Sequence, residues 1–261
     1  MEVNKIYNEN CLDTMARMPD GFVDLTVTSP PYDNLRIYTG EMVWNEDVWK
    51  ATIKELYRVT KQGGVVVWIV GDATIKGSET GTSFRQALHF MDCGFNLHDT
   101  MIYRKENPNP VAGKRYKQCF EYMFVFAKGD LKTFNPIKTE CENKEGFVKC
   151  FIGEKDGVKQ YINRPRNKTK YIDNIFEYKT VRNIETNQHP AVFPEELAQD
   201  HIISWSNEGD LVYDPFMGSG TTAKMAIINK RNWIGSEISK EYCEIAEKRI
   251  EAVTCRGERW K

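Results

Sequence analysis

Two short stretches, far apart in the chain, carry residue types that could do chemistry. One is Asp214-Pro-Phe-Met-Gly-Ser-Gly-Thr-Thr222, which follows an apolar strand-like run and precedes a helical one. Gly218 and Gly220 allow a tight turn and a close approach of backbone to ligand. Open α/β sheets bind ligands at such turns, beyond the carboxyl ends of their strands. Glu237 ends the next strand-like run. Its distance from the glycine turn is close to the spacing of about 20 residues at which an acidic side chain accepts the ribose hydroxyls of a nucleotide. The loop contains neither G-x-G-x-x-G nor G-K-[ST], so a dinucleotide and a triphosphate are both disfavoured.

The other stretch is Ser29-Pro30-Pro31-Tyr32, directly after VDLTVT. Two prolines fix φ and remove two N–H donors, which leaves backbone carbonyls pointing outward. The exocyclic amine of an aromatic base has its lone pair delocalised into the ring. Acceptors for its two N–H bonds, here the Pro30 carbonyl and the Ser29 hydroxyl, localise that pair and make the nitrogen nucleophilic. Tyr32 offers a flat face against which an extruded base can stack. No covalent enzyme intermediate is needed, and positioning carries much of the rate.

These stretches need a scaffold, and the apolar pattern supplies strands alternating with helices. Strand-like runs are KIYN (5–8), VDLTVT (23–28), VVVWIV (65–70), FNLHDTMIYR (95–104), FEYMFVFA (120–127), LVYD (211–214) and NWIGSE (232–237). Residues 46–61 place Trp49, Ile53, Leu56 and Tyr57 on one helical face, and Gly63-Gly64 is expected to close that helix. Thr82 or Ser83 is expected to cap a helix with Phe84, Leu88 and Met91 inward, ended by Gly94. A helix from Pro194 buries Leu197, Ala198, Ile202 and Trp205. Two more helices run over 221–230 and 240–252, the last with Tyr242, Ile245, Ala246, Arg249 and Ile250 inward. This alternation predicts an α/β fold, a mostly parallel sheet with helices on both faces. Residues 106–118 read as a loop, and 130–182 lose clear periodicity and read as an insertion.

Composition sets the outer limits. The chain of 261 residues is 41% hydrophobic and 28% charged, the balance of an ordinary globular protein. No apolar run reaches the length of a membrane span, and the polar start MEVNKIYNEN does not read as a signal peptide, so a cytoplasmic location is expected. Seven cysteines without a C-x-x-C suggest reduced, mostly buried thiols, and the four histidines show no metal-ligand spacing, so no metal is expected. The formal net charge is −1, but residues 101–182 hold 18 Lys and Arg against 10 Asp and Glu. A basic insert on an acidic body suits a protein that meets phosphates with one face.

DPFMGSGTT followed by WIGSE, together with Ser29-Pro30-Pro31-Tyr32, resembles the bacterial DNA amino-methyltransferases that methylate N4 of cytosine or N6 of adenine. The catalytic motif precedes the cofactor motif, an order similar to the β class, whose Rossmann-like fold is circularly permuted. The last helix leaves the cofactor half one strand short, and the strand KIYN is expected to fill that place. The resemblance implies S-adenosylmethionine as cofactor. Asp214, Phe216, Gly218, Ser219, Gly220, Thr221 and Thr222 would form its loop and Glu237 would hold the ribose. His189, in His189-Pro190-Ala191, would close over the methionine part, and Asn8 or Asp13 would contact the adenine. Ser29, Pro30, Pro31 and Tyr32 would be catalytic.

The serine form of the motif is similar to that of N4-cytosine enzymes, and the aspartate form is usual for N6-adenine enzymes, although serine also occurs among them. The resemblance divides the chain into a catalytic half (1–132), a target-recognition insertion (133–182) and a cofactor half (183–261). Double-stranded DNA is the implied partner. Asn107 and Arg115 resemble the mobile loop beside the catalytic motif. Lys159, Tyr161, Arg164, Arg166, Lys168 and Lys170 of the insertion would meet nucleic acid, phosphates being neutralised by the cations. A cognate restriction endonuclease and a homodimer are further implied partners, in a bacterial or phage setting. Methylation of adenine, of RNA or of a protein glutamine stays open; proteins of the last kind usually carry the cofactor motif first. Cytosine C5 chemistry is disfavoured, because no cysteine here follows a proline.

Overall fold

The structure, a computed structural model, describes residues 1–31, 44–108, 114–142, 145–179 and 194–257. Tyr32 and His189 lie outside these residues. In chain order the elements are β1 (Lys5–Tyr7), α1 (Cys11–Ala16), β2 (Val23–Thr28), α2 (Glu46–Val59), β3 (Thr60–Val70), β4 (Thr74–Ile75), β5 (Ser78–Glu79), α3 (Thr82–Asp92), β6 (Asn96–Lys105), β7 (Phe120–Ala127), β8 (Lys138–Glu140), β9 (Phe147–Lys155), β10 (Val158–Pro165), β11 (Thr169–Tyr171), β12 (Ile175–Tyr178), α4 (Glu195–Trp205), β13 (Leu211–Asp214), α5 (Thr221–Ile228), β14 (Asn232–Ser236) and α6 (Lys240–Gly257). They form two compact units, residues 1–135 with 174–261, and residues 136–173.

The larger unit is built on an eight-stranded sheet among the described residues, in the order β1-β14-β13-β2-β3-β7-β6-β12. Every neighbouring pair is parallel except β3 with β7 and β7 with β6, so β7 alone runs against the rest. The N-terminal strand pairs in parallel with β14, Lys5 opposite Ile234, which fills the expected gap. Side chains alternate across a strand, and β3 is buried on both faces. Val66, Trp68 and Val70 join Met15, Trp49, Ile53, Leu56 and Phe90 in one core beneath α1, α2 and α3. Val65, Val67 and Ile69, also fully buried, point the other way, where α4 packs on β2 and β3 and α5 on β13 and β14. The result is a three-layer α/β fold.

Four expectations are corrected. The helix begun at Glu46 ends at Val59 and passes directly into β3, with Gly63-Gly64 inside the strand. Gly63 has φ +81°, and a Cβ there would come within 2.4 Å of Lys132 Cγ, so the glycine serves an irregular strand start rather than a helix stop. In α3, Phe84, Leu88 and Met91 are exposed, while Ser83, Gln86, Ala87 and Phe90 are buried. Two contacts set that helix's phase. Phe90 stacks on Phe126 at 4.1 Å, and Gln86 accepts the buried Trp68 indole N–H at 2.9 Å. Leaving that N–H unpaired would cost about 1–3 kcal/mol. Neither Thr82 nor Ser83 caps α3; the Asp72 carboxylate accepts the Ser83 N–H instead, at 3.0 Å. The cysteines among the described residues are free thiols, but only Cys11 and Cys243 are buried.

Residues 130–182 are richer in strands than their composition suggests. β12 belongs to the main sheet, paired in parallel with β6. The smaller unit, 136–173, contains two antiparallel ribbons, β9 with β10 and β8 with β11. The β9–β10 hairpin turns at Asp156-Gly157, both with positive φ (51° and 75°). Such a pair of left-handed residues matches the strand twist, which is why Asp-Gly marks tight hairpins. Strong alternation is absent from this sequence because its described residues have no buried face.

Candidate active site

The parallel order brings the carboxyl ends of β2 and β13 side by side, with Val212 opposite Leu25 and Tyr213 opposite Thr26. Beyond β2 come Ser29 (half-buried), Pro30 (buried) and Pro31 (half-buried); beyond β13 comes the glycine loop. The last residues of the two strands are joined. Thr28 Oγ1 donates to Asp214 Oδ1 at 2.6 Å, with both side chains buried. The same oxygen accepts the Phe216 N–H at 3.0 Å, which fixes the start of the loop. Burial pushes the Asp214 carboxyl up to about 6, against the pull of bonds from Thr28, Thr222 and the Phe216 amide. Thr222 also donates to the Val27 carbonyl at 3.2 Å, a second tie between the loop's end and β2.

The loop itself is buried from Met217 to Thr222. Gly218 and Gly220 have φ of +52° and +80°. A Cβ on Gly220 would stand 2.8 Å from Ala246 Cβ of α6, so glycine is required both by the turn and by the helix behind it. Phe216 presents its ring edge-on to Trp44 and Trp68, with centroids 5.2 and 6.2 Å away.

Glu237 stands one residue beyond β14. Its Oε2 accepts the Gly218 N–H at 2.8 Å and its Oε1 the Ser239 N–H at 2.8 Å. Burial raises its carboxyl above the ordinary 4.5, with the Asp214 charge adding to the rise. Each oxygen keeps a lone pair that two neighbouring hydroxyls could use. Asn8 lies beside Glu237. Its side-chain amide donates to the carbonyls of Glu237 and Ile238, at 2.8 and 3.1 Å, and so holds the backbone that carries Glu237. Asp13 is exposed on the first turn of α1.

Arg249 plays a part that its place on the inward face of α6 did not disclose. Its guanidinium donates to the Ser219 carbonyl (2.6 Å), the Ser219 hydroxyl (2.8 Å) and the Thr221 hydroxyl (3.3 Å). The other arm meets Glu195 at 2.8 Å, which is held in turn by Lys224 at 2.6 Å. The loop carbonyl between the two glycines is therefore gripped from behind. A cation on the otherwise largely apolar inward face of α6 was the available signal. Thr28 was missed as well, although a hydroxyl at the end of an apolar strand must find a partner.

Of the nucleic-acid candidates, Asn107 and Arg115 lie in the larger unit and are exposed. Arg115 is tied to the Gly77 carbonyl and to Glu79. Lys159, Tyr161, Arg164, Arg166, Lys168 and Lys170 are all exposed in the smaller unit, where Tyr161 lies 4.8 Å beneath the Lys149 ammonium. Among the described residues no cluster of His, Cys, Asp or Glu could hold a metal ion, and no helix is long and apolar enough to cross a membrane.

Comparison with known proteins adds an independent line. The sequence profile of the N6/N4 type, described as DNA methylase, matches residues 23–248. The orphan methyltransferase M.BamHII of Bacillus amyloliquefaciens is 53% identical over 242 residues, 88% of this chain and 89% of its own. The DNA adenine methyltransferase YhdJ of Escherichia coli K12 is 28% identical over 260 residues, 97% of this chain and 84% of its own. Among solved structures, the cytosine-N4-specific PvuII DNA methyltransferase shares the fold, with a TM-score of 0.74 at 20% identity, over 97% of this chain and 91% of its own.

Proposed function

The chain belongs to the N6/N4 DNA methylase family, and from that premise we propose that it moves a methyl group from S-adenosylmethionine to the N4 amine of a cytosine extruded from double-stranded DNA. One observation carries the reading. The Thr28–Asp214 bond locks the end of β2, which leads into Ser29–Pro31, to the foot of the glycine loop, so a donor site and an amine site would share one edge of the sheet.

The residues present fit the cofactor. Gly220 lets the loop turn tightly against α6, and Glu237 offers two carboxylate oxygens beside the Gly218 backbone. Asp214, Phe216, Gly218, Ser219, Gly220, Thr221 and Thr222 would shape the loop, Glu237 would take the ribose hydroxyls, and Asn8 would hold Glu237 in place. S-adenosylmethionine, when bound, supplies an electrophilic methyl group on a sulfonium.

The chain's own work is to orient the nucleophile. The Ser29 hydroxyl and Pro30 carbonyl accept the amine's two N–H bonds and localise its lone pair on nitrogen, out of conjugation with the ring. Tyr32 stacks on the base. The amine becomes acidic only after it has gained the methyl group, so no strong base is needed beforehand. Preorganised acceptors in a site that excludes water stabilise the developing charge better than solvent does.

The choice of cytosine rests on Ser29. The likeness to an adenine methyltransferase over nearly the whole chain favours N6 of adenine as the second reading. Incubation with unmethylated genomic DNA and labelled S-adenosylmethionine, followed by digestion to nucleosides, decides between them. N4-methylcytosine supports the proposal, N6-methyladenine replaces it with the second reading, and label confined to RNA or protein overturns both.

A further inference from the structure

β7 reverses the sheet, so β6 runs parallel to β3 and ends at the same edge as β2. The described residues between β6 and β7, 106–108 and 114–119, therefore lie on the edge that carries Ser29–Pro31. Among them stands Lys114-Arg115-Tyr116-Lys117, and Tyr116 is 99% exposed. An aromatic ring so fully in water has no packing role in the fold. Its neighbour is nevertheless anchored, since Arg115 donates to the Gly77 carbonyl and to Glu79 of the β4–β5 hairpin, which follows β3 at the same edge. That hairpin adds Lys76 and a half-exposed Ile75 to the patch. The result is a bare aromatic ring among three cations, held by one of them, with a fourth on the neighbouring turn.

From this geometry we propose that Tyr116 enters the DNA stack in the place vacated by the extruded base, while Lys114 and Lys117 neutralise the flanking phosphates and Arg115 holds the segment to the β4–β5 hairpin. The proposal rests on the DNA amino-methylation reading above. Extrusion breaks two stacking contacts, and a flat side chain inserted between the neighbours restores part of them. β7 lies two strands from β2, about 10 Å at ordinary strand spacing. Tyr116 is four residues before β7 and so stands near the motif without lying in it.

The test compares methyl transfer to unmethylated duplex genomic DNA by the full chain and by Tyr116→Ala, Tyr116→Phe and Tyr116→Lys. Base–aromatic stacking is worth about 1–3 kcal/mol, or roughly fivefold to 150-fold. Tyr116→Ala should therefore lower kcat/KM for duplex DNA by about fivefold or more. The KM for S-adenosylmethionine and the melting temperature should not change. Tyr116→Phe should restore the rate, and Tyr116→Lys, which keeps phosphate affinity without a ring, should not. An alanine variant as active as wild type, or a lysine variant that rescues as well as phenylalanine, overturns the proposal while leaving the enzymatic reading intact. A wild-type chain that labels no DNA overturns both.

Discussion

Replacing Asp214 by Asn isolates the cost of a buried charge at the foot of the glycine loop. Asp214 is 1% exposed, and burial lifts its pKa from the ordinary 3.8 to about 6. That rise disfavours the ionised form in the fold by about 3 kcal/mol. Because the folded value is the higher one, the linked stability is fully present below pH 3.8 and is lost as pH rises through about 6. Between pH 5 and pH 8 the loss amounts to about 1.4 kcal/mol. Asparagine does not titrate, and it fits the site. Thr28 and Phe216 both donate to Oδ1, which an amide oxygen can equal. The amide N–H2 would face Thr222, whose one hydroxyl proton is then left to the Val27 carbonyl.

The melting temperature of Asp214→Asn relative to wild type should therefore climb by about 3–6 °C from pH 5 to pH 8. His201, held neutral by complete burial with its pKa lowered to about 3, destabilises both proteins alike in acid and cancels in the difference. Thermal unfolding of the two proteins side by side across this range is the assay. A difference that stays constant, or narrows towards pH 8, refutes the buried-charge argument.

Other perturbations test the rest of the site. Glu237 accepts ribose hydroxyls best when ionised and its carboxyl is raised above 4.5, so affinity for S-adenosylmethionine should fall with acid from a pH above that value. Glu237→Gln should bind more weakly and lose this dependence in calorimetric titrations from pH 5 to 8. Arg249→Met removes charge-assisted bonds from the Ser219 carbonyl and both neighbouring hydroxyls. It should raise the Kd for S-adenosylmethionine by about tenfold or more, with Arg249→Lys recovering part of the loss. If Lys168 and Lys170 of the smaller unit meet phosphates, replacing both with Gln should flatten the slope of log K against log salt for duplex DNA by about two, and an unchanged slope removes them from the interface.

Much of the fold was legible because buried strands and half-buried helices write different periods. VVVWIV is wholly apolar, LVYD all but its last residue, and VDLTVT has apolar or β-branched residues everywhere but Asp24; all three lie at the centre of the sheet and were readable at once. The phase of α3 was not readable, because its sequence carries two candidate faces. Phe84, Leu88 and Met91 form the more apolar one, yet the face holding Gln86 won by pairing with a tryptophan 18 residues away. The ribbons of 136–173 were hidden for the opposite reason, since strands without a buried face carry no alternation. In the site, backbone-determined features were legible and long-range polar partners were not. Gly220 announces its turn locally. The bonds from Thr28 to Asp214 and from Arg249 to Ser219 join residues distant in the chain, and no local pattern specifies them.

The Thr28–Asp214 bond also explains why motif order is a weak constraint on this chemistry. A parallel sheet is held by lateral pairing, and the pairing of β2 with β13 does not record which strand was made first. What must be kept is the adjacency of two strand ends and a buried hydroxyl–carboxylate contact between them. β1 shows the same indifference. It pairs with β14, and the Tyr7 carbonyl at its end accepts the Glu237 N–H at 3.0 Å. Residues from the two ends of the sequence thus hold one carboxylate in place. Cutting and rejoining such a chain moves loops at the sheet's edge without moving an acceptor relative to a donor, so the geometry survives where the order does not.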